Sequence, residues 1–177
     1  MKYLIMCEGP NELEVVKILL ENDCFWFTQD DLLGLVPYHA RQIKGSGQVQ
    51  TALNMYPGKV TVFRIGDKLS DILQIPKEYQ EKIDAVEKYC TKPELEMLLI
   101  ISENMVDKFE KVKSKKKAKT FAKENIKCGR KNYKNDTAFY REYYGNNSTL
   151  LVETIKQYRH QNGSHKKDEH YLAELLK

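Results

Sequence analysis

The clearest pattern in the chain is a set of short, continuous apolar runs separated by amphipathic stretches. Residues 3–7 (YLIMC) predict a strand that is buried on both faces, and residues 60–65 (VTVFRI) predict a second strand, β-branched and alternating. A Gly-Pro turn follows the first run, and residues 11–20 then repeat apolar side chains at helical spacing. Strands that alternate with helices indicate an α/β fold with a mostly parallel sheet flanked by helices.

The remaining patterns are weaker. Residues 35–39 predict a short edge strand, because Pro37 cannot donate a hydrogen bond to a central ladder. Residues 95–101 form a third apolar run that predicts a strand, with a helix opened by Glu94 and Glu96 as the alternative. Helical spacing is also found over 49–55, 76–89, 107–127, 148–159 and 166–176, the last with Ser164 as N-cap.

Composition narrows the class of protein. A length of 177 residues with 41% hydrophobic residues predicts one folded domain, or one domain with an appendage. No apolar run approaches the roughly 20 residues that span a bilayer, and the amino terminus lacks the features of a secretory signal. The four cysteines form no C-x-x-C pair, so neither a zinc site nor a disulfide framework is indicated. We therefore expect a soluble cytoplasmic protein with reduced thiols and no membrane contact.

The net charge of +4 hides a strong asymmetry along the chain. Residues 1–110 carry a net charge of −6, whereas residues 111–134 carry +10, with Glu124 as their single acid. Residues 135–177 are neutral. The sequence thus predicts one surface that could hold a metal ion and another that could hold a polyanion.

Acidic residues follow both of the strongest strands. Glu8 comes directly after the first strand, and Asp67 after the strand at 60–65. If these strands are neighbours, both carboxylates lie at the carboxyl edge of the sheet, where sites gather in α/β folds. Asp71 lies one helical turn beyond Asp67, and Glu12 one turn beyond Glu8, so both could join them. Clustered carboxylates favour Mg²⁺ or Mn²⁺, although turn or N-cap acids are the simpler alternative.

The string from Tyr3 to Glu12 (YLIMCEGPNE) resembles the first motif of the Toprim superfamily, an apolar strand that ends in glutamate-glycine. The further Glu12 is similar to the form found in overcoming-lysogenization-defect-type nucleases. The second Toprim motif ends in aspartate-x-aspartate, and here Asp67 is followed by leucine at position 69, so that Asp71 would have to supply the second ligand. Residues 92–100 are similar to small Toprim-like proteins of mobile and defence loci. The resemblance covers residues 1–105.

The resemblance implies a Rossmann-like Toprim fold and a Mg²⁺-dependent nuclease that acts on DNA or RNA, in phage defence or nucleic-acid processing. Glu8 would then be a ligand or general base, Asp67 and Asp71 would hold the metal with Glu12, and Lys68 could meet a phosphate, although an exposed turn lysine is the simpler interpretation. Residues 106–177 would be a basic helical region packed on the same domain. The alternative is a catalytically idle Toprim-like module that binds nucleic acid or a protein partner such as an ATPase.

The basic segment, residues 111–134, is the second candidate site. Lysines neutralise phosphates without reading base sequence, so this segment predicts a nucleic-acid contact, with a solvated helix face as the alternative. The proposed contact residues are Lys111, Lys113, Lys115, Lys116, Lys117, Lys119, Lys123, Arg130 and Lys131. Aromatic residues follow the lysines and could stack on bases, but a role in the core is favoured for them. They are Phe121, Tyr133, Phe139, Tyr140, Tyr143 and Tyr144.

A third candidate lies near the carboxyl end, where His165, Lys166 and Asp168 are close in sequence. His165 with Asp168 could form a base and its orienting group, although a capped surface helix explains the string equally well. Trp26, between two phenylalanines, is predicted to lie in the core.

Overall fold

The computed structural model describes residues 1–67, 70–161 and 165–177. At its centre is a five-stranded sheet in the order β2-β1-β3-β4-β7, and all four pairings are parallel. Its strands are β1 (Lys2–Cys7), β2 (Tyr38–His39), β3 (Val60–Gly66), β4 (Ile83–Cys90) and β7 (Glu169–Tyr171). A separate antiparallel hairpin is formed by β5 (Lys127–Cys128) and β6 (Lys131–Asn132). The α/β prediction with a mostly parallel sheet is therefore confirmed.

Seven helices accompany these strands in the described part of the chain. They are α1 (Pro10–Glu21), α2 (Gly47–Met55), α3 (Met97–Ser102), α4 (Val106–Glu110), α5 (Ala118–Asn125), α6 (Thr137–Tyr144) and α7 (Ser148–Gln161). The predicted helices over 11–20, 49–55 and 148–159 are confirmed by α1, α2 and α7. Within the described residues, no helix combines the length and the apolar character needed to cross a bilayer.

The central strands β1 and β3 are buried because their apolar residues meet a separate core on each face of the sheet. Ile5 and Phe63 belong to the larger core, which also contains α1, α3, α6 and α7. Leu4 and Val62 belong to the smaller core, which contains α2. A continuous apolar run is therefore required in these strands, and both strand predictions are confirmed.

Two sequence predictions in the middle of the chain are wrong. Residues 76–89, predicted as a helix, contain a short 3-10 turn at Lys77–Tyr79 and then β4. Residues 95–101, predicted as a strand, contain α3 instead, so the helical alternative was right. Five consecutive residues from Met97 to Ile101 are buried, because α3 is covered on all sides by other elements. Such a helix has no polar face and its sequence cannot be told from a buried strand by periodicity.

The predictions for the basic and carboxyl-terminal regions need correction as well. The single helix expected over 107–127 is divided into α4 and α5, with turns between them. The helix expected over 166–176 is instead β7 followed by a 3-10 helix at Leu172–Leu175. Its proposed N-cap, Ser164, lies outside the described residues. The region 106–177 is thus not only helical, because it contributes a strand to the central sheet.

Aromatic residues divide between core and surface. Trp26 is 47% exposed, so its predicted core position is wrong, although it packs edge-on against Tyr3 at 5.3 Å between ring centroids. The aromatic residues that follow the lysines support the core interpretation. Phe121, Tyr133, Phe139, Tyr140 and Tyr144 are all buried, and Tyr143 is packed against the core.

Candidate metal centre

The carboxyl ends of β1 and β3 bring Glu8 and Asp67 to the same edge of the sheet. The two strands pair in parallel and in register, with Cys7 opposite Ile65. The backbone N–H of Glu8 extends this ladder by donating to the Ile65 carbonyl at 2.8 Å. Each acid is therefore the first residue beyond its strand, and both lie at the carboxyl ends of the strands.

A cleft of about 200 Å³ lies at this edge, between the start of α1 and the turn that precedes α3. Four carboxylates line it, and Glu8 lies close enough to act on Asp67 electrostatically. The lining residues are Gly9, Pro10, Asn11, Glu12, Asp67, Glu94, Leu95, Glu96, Lys119 and Asn135. We call this space the acidic cleft.

The tight turn between β1 and α1 positions Glu12. Gly9 is the N-cap of α1, and Pro10 is its first residue, where a missing N–H costs nothing. Glu12 is the third helical residue, and its buried carboxylate approaches the N-terminus of its own helix. A Cβ atom at Gly9 would collide with Glu12 Oε2. A side chain at position 9 would therefore displace the Glu12 carboxylate, whereas the extended backbone angles of Gly9 are open to any residue.

Asp67 has the most strongly perturbed acidity of the cleft. Burial, together with the negative charge of four neighbouring carboxylates, raises the pKa of Asp67 to about 8. The four are Glu12, Glu96, Glu8 and Glu94. Burial also raises the pKa of Glu12, and Glu8 and Glu96 add to the effect. The cleft therefore holds more negative charge than its surroundings neutralise.

Glu94 and Glu96 enter the cleft from the turn before α3, and each is held by a residue of the basic segment. Glu94 Oε2 accepts a hydrogen bond from the backbone N–H of Lys119 at 2.7 Å, at the N-terminus of α5. Glu96 Oε1 accepts one from the Tyr133 hydroxyl at 2.7 Å. One wall of the acidic cleft is therefore built by the segment that carries the lysines.

Two buried oxygen atoms near the cleft have no hydrogen-bond partner among the described residues. They are Glu8 Oε2 and Asn11 Oδ1. Arg41 lies 3.5 Å from the other Glu8 oxygen, but its side chain is mostly exposed and points to solvent over most of its surface. Carboxylate and amide oxygens are the ligands that Mg²⁺ and Mn²⁺ prefer, so the donor set fits such an ion. In the described part of the chain, however, no three Asp, Glu, His or Cys side chains are grouped so that they could hold one ion together.

Asp71 has a different environment from Asp67. Both of its carboxylate oxygens accept hydrogen bonds from Arg64 at 3.0 Å, and one also accepts from Gln42. Partial burial alone would raise the pKa of Asp71, but the hydrogen bond and charge of Arg64 outweigh it and lower the pKa. Arg64 is a buried cation on β3, only 2% exposed, and Asp71 is its counterion. Asp71 is not among the residues that line the cleft, and Lys68 lies outside the described residues.

The carboxyl-terminal candidates form a separate cluster. His165 Nε2 lies 2.9 Å from the Tyr158 hydroxyl, and its ring stacks on Tyr171 with centroids 3.9 Å apart. The Lys166 backbone N–H donates to Glu169, and Asp168 forms an ion pair with Lys88 at 3.1 Å. These contacts place the string against β4 and β7 rather than among the carboxylates of the cleft.

The cationic side chains of the basic segment lie mainly on the surface. Lys111, Lys115, Lys117, Lys123 and Arg130 are exposed, and Lys119 reaches the cleft. Three lysines are engaged with acids on the same surface: Lys113 with Glu110, Lys116 with Glu124 and Lys131 with Glu142. Exposed pairs of this kind are weak, so these lysines remain available to phosphates.

Several cleft residues were not predicted as site residues. Asn11 lies within the glutamate-glycine motif and could have been noticed as a polar residue at a helix start. Arg41 and Asn135 come from distant parts of the chain, and no local pattern marks them. Tyr133 was considered only for base stacking or for the core, not as a partner of Glu96. Glu94 and Glu96 were considered mainly as residues that could open a helix.

Comparisons with protein-family models, curated proteins and solved structures find no match to this chain.

Proposed function

We propose that the acidic cleft binds Mg²⁺ or Mn²⁺ and that the protein hydrolyses phosphodiester bonds in DNA or RNA. The observation that carries this proposal is the convergence of five carboxylates at one edge of the sheet, directly beside the basic segment. They come from three separate parts of the chain: Glu8 and Glu12, Asp67, and Glu94 and Glu96. The resemblance of residues 3–12 to the first Toprim motif points to the same chemistry.

Electrostatics explains why such a cluster needs a cation. Like charges that share a small, partly buried space disfavour ionisation, and after burial they are the second cause of the raised pKa of Asp67. A divalent cation removes that penalty, and hard oxygen ligands select Mg²⁺ or Mn²⁺.

Glu8, Glu12 and Asp67 are the candidate ligands, of which one or two would hold the ion together with water and phosphate oxygens. Glu94 and Glu96 each already accept a hydrogen bond from the basic segment, which fixes them at the wall. Mg²⁺ sites in phosphoryl-transfer enzymes use one or two carboxylates together with waters and substrate phosphates. A cleft with no complete three-residue protein ligand set is consistent with that kind of site.

When bound, the ion would activate a water molecule and stabilise the charge that develops on the phosphate. The water oxygen forms the new bond to phosphorus, and the bond to the leaving oxygen breaks. Glu8 would accept the proton of the attacking water, and its Oε2, which has no hydrogen-bond partner among the described residues, supports this role. The Arg41 guanidinium, beside Glu8 and largely exposed, would neutralise a phosphate oxygen.

A second candidate function is a catalytically idle module that binds a protein partner such as an ATPase. The engagement of Asp71 with Arg64 favours it, because the second Toprim-like motif then offers only Asp67 to a metal. The two functions differ in one measurable respect, since only the nuclease needs the charge of Glu8 for turnover.

The test is cleavage of labelled single-stranded and double-stranded DNA and RNA in Mg²⁺, in Mn²⁺ and in chelator. Wild-type protein should cleave only with metal, and Glu8→Gln and Asp67→Asn should each abolish cleavage while affinity for nucleic acid changes little. Glu81→Gln serves as the matched control, because Glu81 is exposed and lies near the amino end of β4, away from the acidic cleft. Metal-independent cleavage, or full activity in Glu8→Gln, would refute the proposal.

A further inference from the structure

We propose that a groove on the far side of the cleft wall takes one unpaired base of a nucleic-acid strand, so that the substrate is single-stranded. This inference deepens the proposed function and rests on its nucleic-acid substrate. The groove has a volume of about 410 Å³, within the range of small-molecule sites. It is lined by Lys131, Asn132, Lys134, Asp136, Ala138, Phe139 and Glu142.

The wall between groove and cleft is a short stretch of chain, residues 131–136. Tyr133 donates to Glu96 and Asn135 lines the acidic cleft, whereas Asn132, Lys134 and Asp136 line the groove. The stretch ends in a turn, in which the Asp136 N–H donates to the Lys134 carbonyl at 2.7 Å, so successive side chains leave it in different directions. Neighbouring residues are about 3.8 Å apart between Cα atoms, so the two sites lie back to back across a single strand of chain.

The groove has an apolar floor and an exposed lysine at its rim, which together suit a ligand with an apolar part and a negative charge, although its two lysines and two acids balance in charge. Asp136 accepts a hydrogen bond from the Phe139 N–H as the N-cap of α6, and Glu142 pairs with Lys131 at 2.8 Å. Both acids are therefore engaged, whereas Lys134 is exposed at the rim beside the rest of the basic segment. Ala138 and Phe139 supply the apolar floor.

A nucleotide satisfies both requirements, since its base can pack on the floor while its phosphate meets Lys134. A base within a duplex is paired and stacked and cannot enter such a groove without being extruded. An unpaired strand can cross the wall, with a base in the groove and an adjacent phosphate in the acidic cleft. The adjoining lysines would contact the rest of the strand without reading its sequence.

Two variants test the groove directly. Ala138→Trp fills it from an exposed position, the second residue of α6. Thr149→Trp is the matched control, because Thr149 is exposed and is the second residue of α7. Lys134→Gln removes the rim charge, and Lys77→Gln removes an exposed lysine at the opposite edge of the sheet. Thermal unfolding checks that each variant folds.

Affinity is measured in chelator by fluorescence anisotropy with three probes: a labelled single strand, the same strand with abasic sites, and the matching duplex. Ala138→Trp should weaken binding of the intact single strand by about 5- to 150-fold, the range expected when one base contact is lost. The abasic strand should bind wild-type protein about as weakly, while duplex binding should be the same in Ala138→Trp and Thr149→Trp. For the single strand, Lys134→Gln should make the slope of the logarithm of the binding constant against the logarithm of the salt concentration shallower by about 0.7. Lys77→Gln should leave this slope unchanged.

Equal binding of the intact strand by Ala138→Trp and Thr149→Trp, or equal binding of intact and abasic strands by wild-type protein, would overturn the inference. Failure of the single strand to bind wild-type protein would overturn it too. Metal-dependent cleavage that Ala138→Trp leaves unchanged refutes the groove but not the nuclease. A binding loss in Ala138→Trp, in a protein that cleaves nothing, refutes the nuclease but not the groove.

Discussion

Asp67→Asn should make the metal-free protein more stable, although it removes a residue of the proposed site. Asparagine has nearly the same shape as aspartate but cannot ionise, and the surrounding carboxylates disfavour the charged form of Asp67. Sites that bind a charged ligand commonly reduce stability in the absence of that ligand, and the acidic cleft has this character.

The size of the effect follows from the acidity of Asp67. Its pKa rises from 3.8 to about 8, and each pKa unit corresponds to 1.36 kcal/mol of differential interaction. Roughly four units therefore set an upper limit of about 5–6 kcal/mol. Because Asp67 is partly exposed and its neighbours can rearrange, we expect a gain of about 2–3 kcal/mol in the free energy of unfolding above pH 8.

The sign of the pH dependence is fixed by linkage. Between pH 4 and pH 8 the folded protein binds a proton at Asp67 that the unfolded chain has released. The contribution of Asp67 to the stability of the wild-type protein must therefore fall across this range as pH rises, and the penalty is complete above pH 8. Asp67→Asn lacks this contribution, so the difference between variant and wild type should vanish near pH 4.

Urea unfolding in chelator at several pH values between 4 and 9 measures this difference. Asp84→Asn, an exposed residue near the amino end of β4, is the control and should follow the wild type. Addition of Mg²⁺ at about 100 times its Kd should stabilise the wild type by about 2.7 kcal/mol and Asp67→Asn by much less. Parallel pH profiles for wild type and Asp67→Asn would show that Asp67 is not under the electrostatic stress described.

Three further outcomes are expected. Asp71→Asn should lower the free energy of unfolding by about 1–3 kcal/mol, because it removes the charge that pairs with buried Arg64, and Mg²⁺ should still stabilise the variant. Loss of the stabilisation by Mg²⁺ would show that Asp71 is a metal ligand. Replacement of Lys115–Lys117 by glutamate should weaken binding of all nucleic-acid sequences alike and reduce the salt dependence by about 0.7–0.9 log units per lost contact, and unchanged binding would leave these lysines as solvated surface. Gly9→Ala should displace the Glu12 carboxylate, so Mg²⁺ should raise the thermal unfolding temperature less than in the wild type, while the stability without metal changes little. If Mg²⁺ stabilises Gly9→Ala as much as the wild type, Glu12 is not a ligand.

The strands could be predicted only where the sheet is covered on both faces. β1 and β3 are continuous apolar runs because each face of the sheet meets a core. β4 escaped prediction because β7 pairs only with its last three residues, Lys88–Cys90, so its first half is a free edge that carries polar side chains. The apolar residues that remain there happen to fit helical spacing.

In the candidate site, too, the positions that follow from local sequence could be predicted, and the contacts between distant residues could not. Glu8 and Asp67 could be placed at one edge because the carboxyl ends of neighbouring parallel strands coincide. The role of Tyr133 and Lys119 in holding Glu96 and Glu94 depends on contacts between residues 25 to 37 positions apart. No periodicity or turn signal specifies such contacts, since they follow from how the basic segment packs.

The pairing of β4 with β7 also shapes how the chain must fold. Lys88 of β4 lies opposite Glu169 of β7 in the sheet, and all of α3 to α7 lie within the loop that this strand pairing closes. The entropy lost on closing a loop grows with its length, and parallel pairing between distant segments is slow to form. The β1-β3 pair can form early, but the edge beside Cys90 is finished only when β7 docks, where Lys92 then meets Glu169. Refolding followed through a probe near β7 should therefore lag behind refolding followed through β1 and β3.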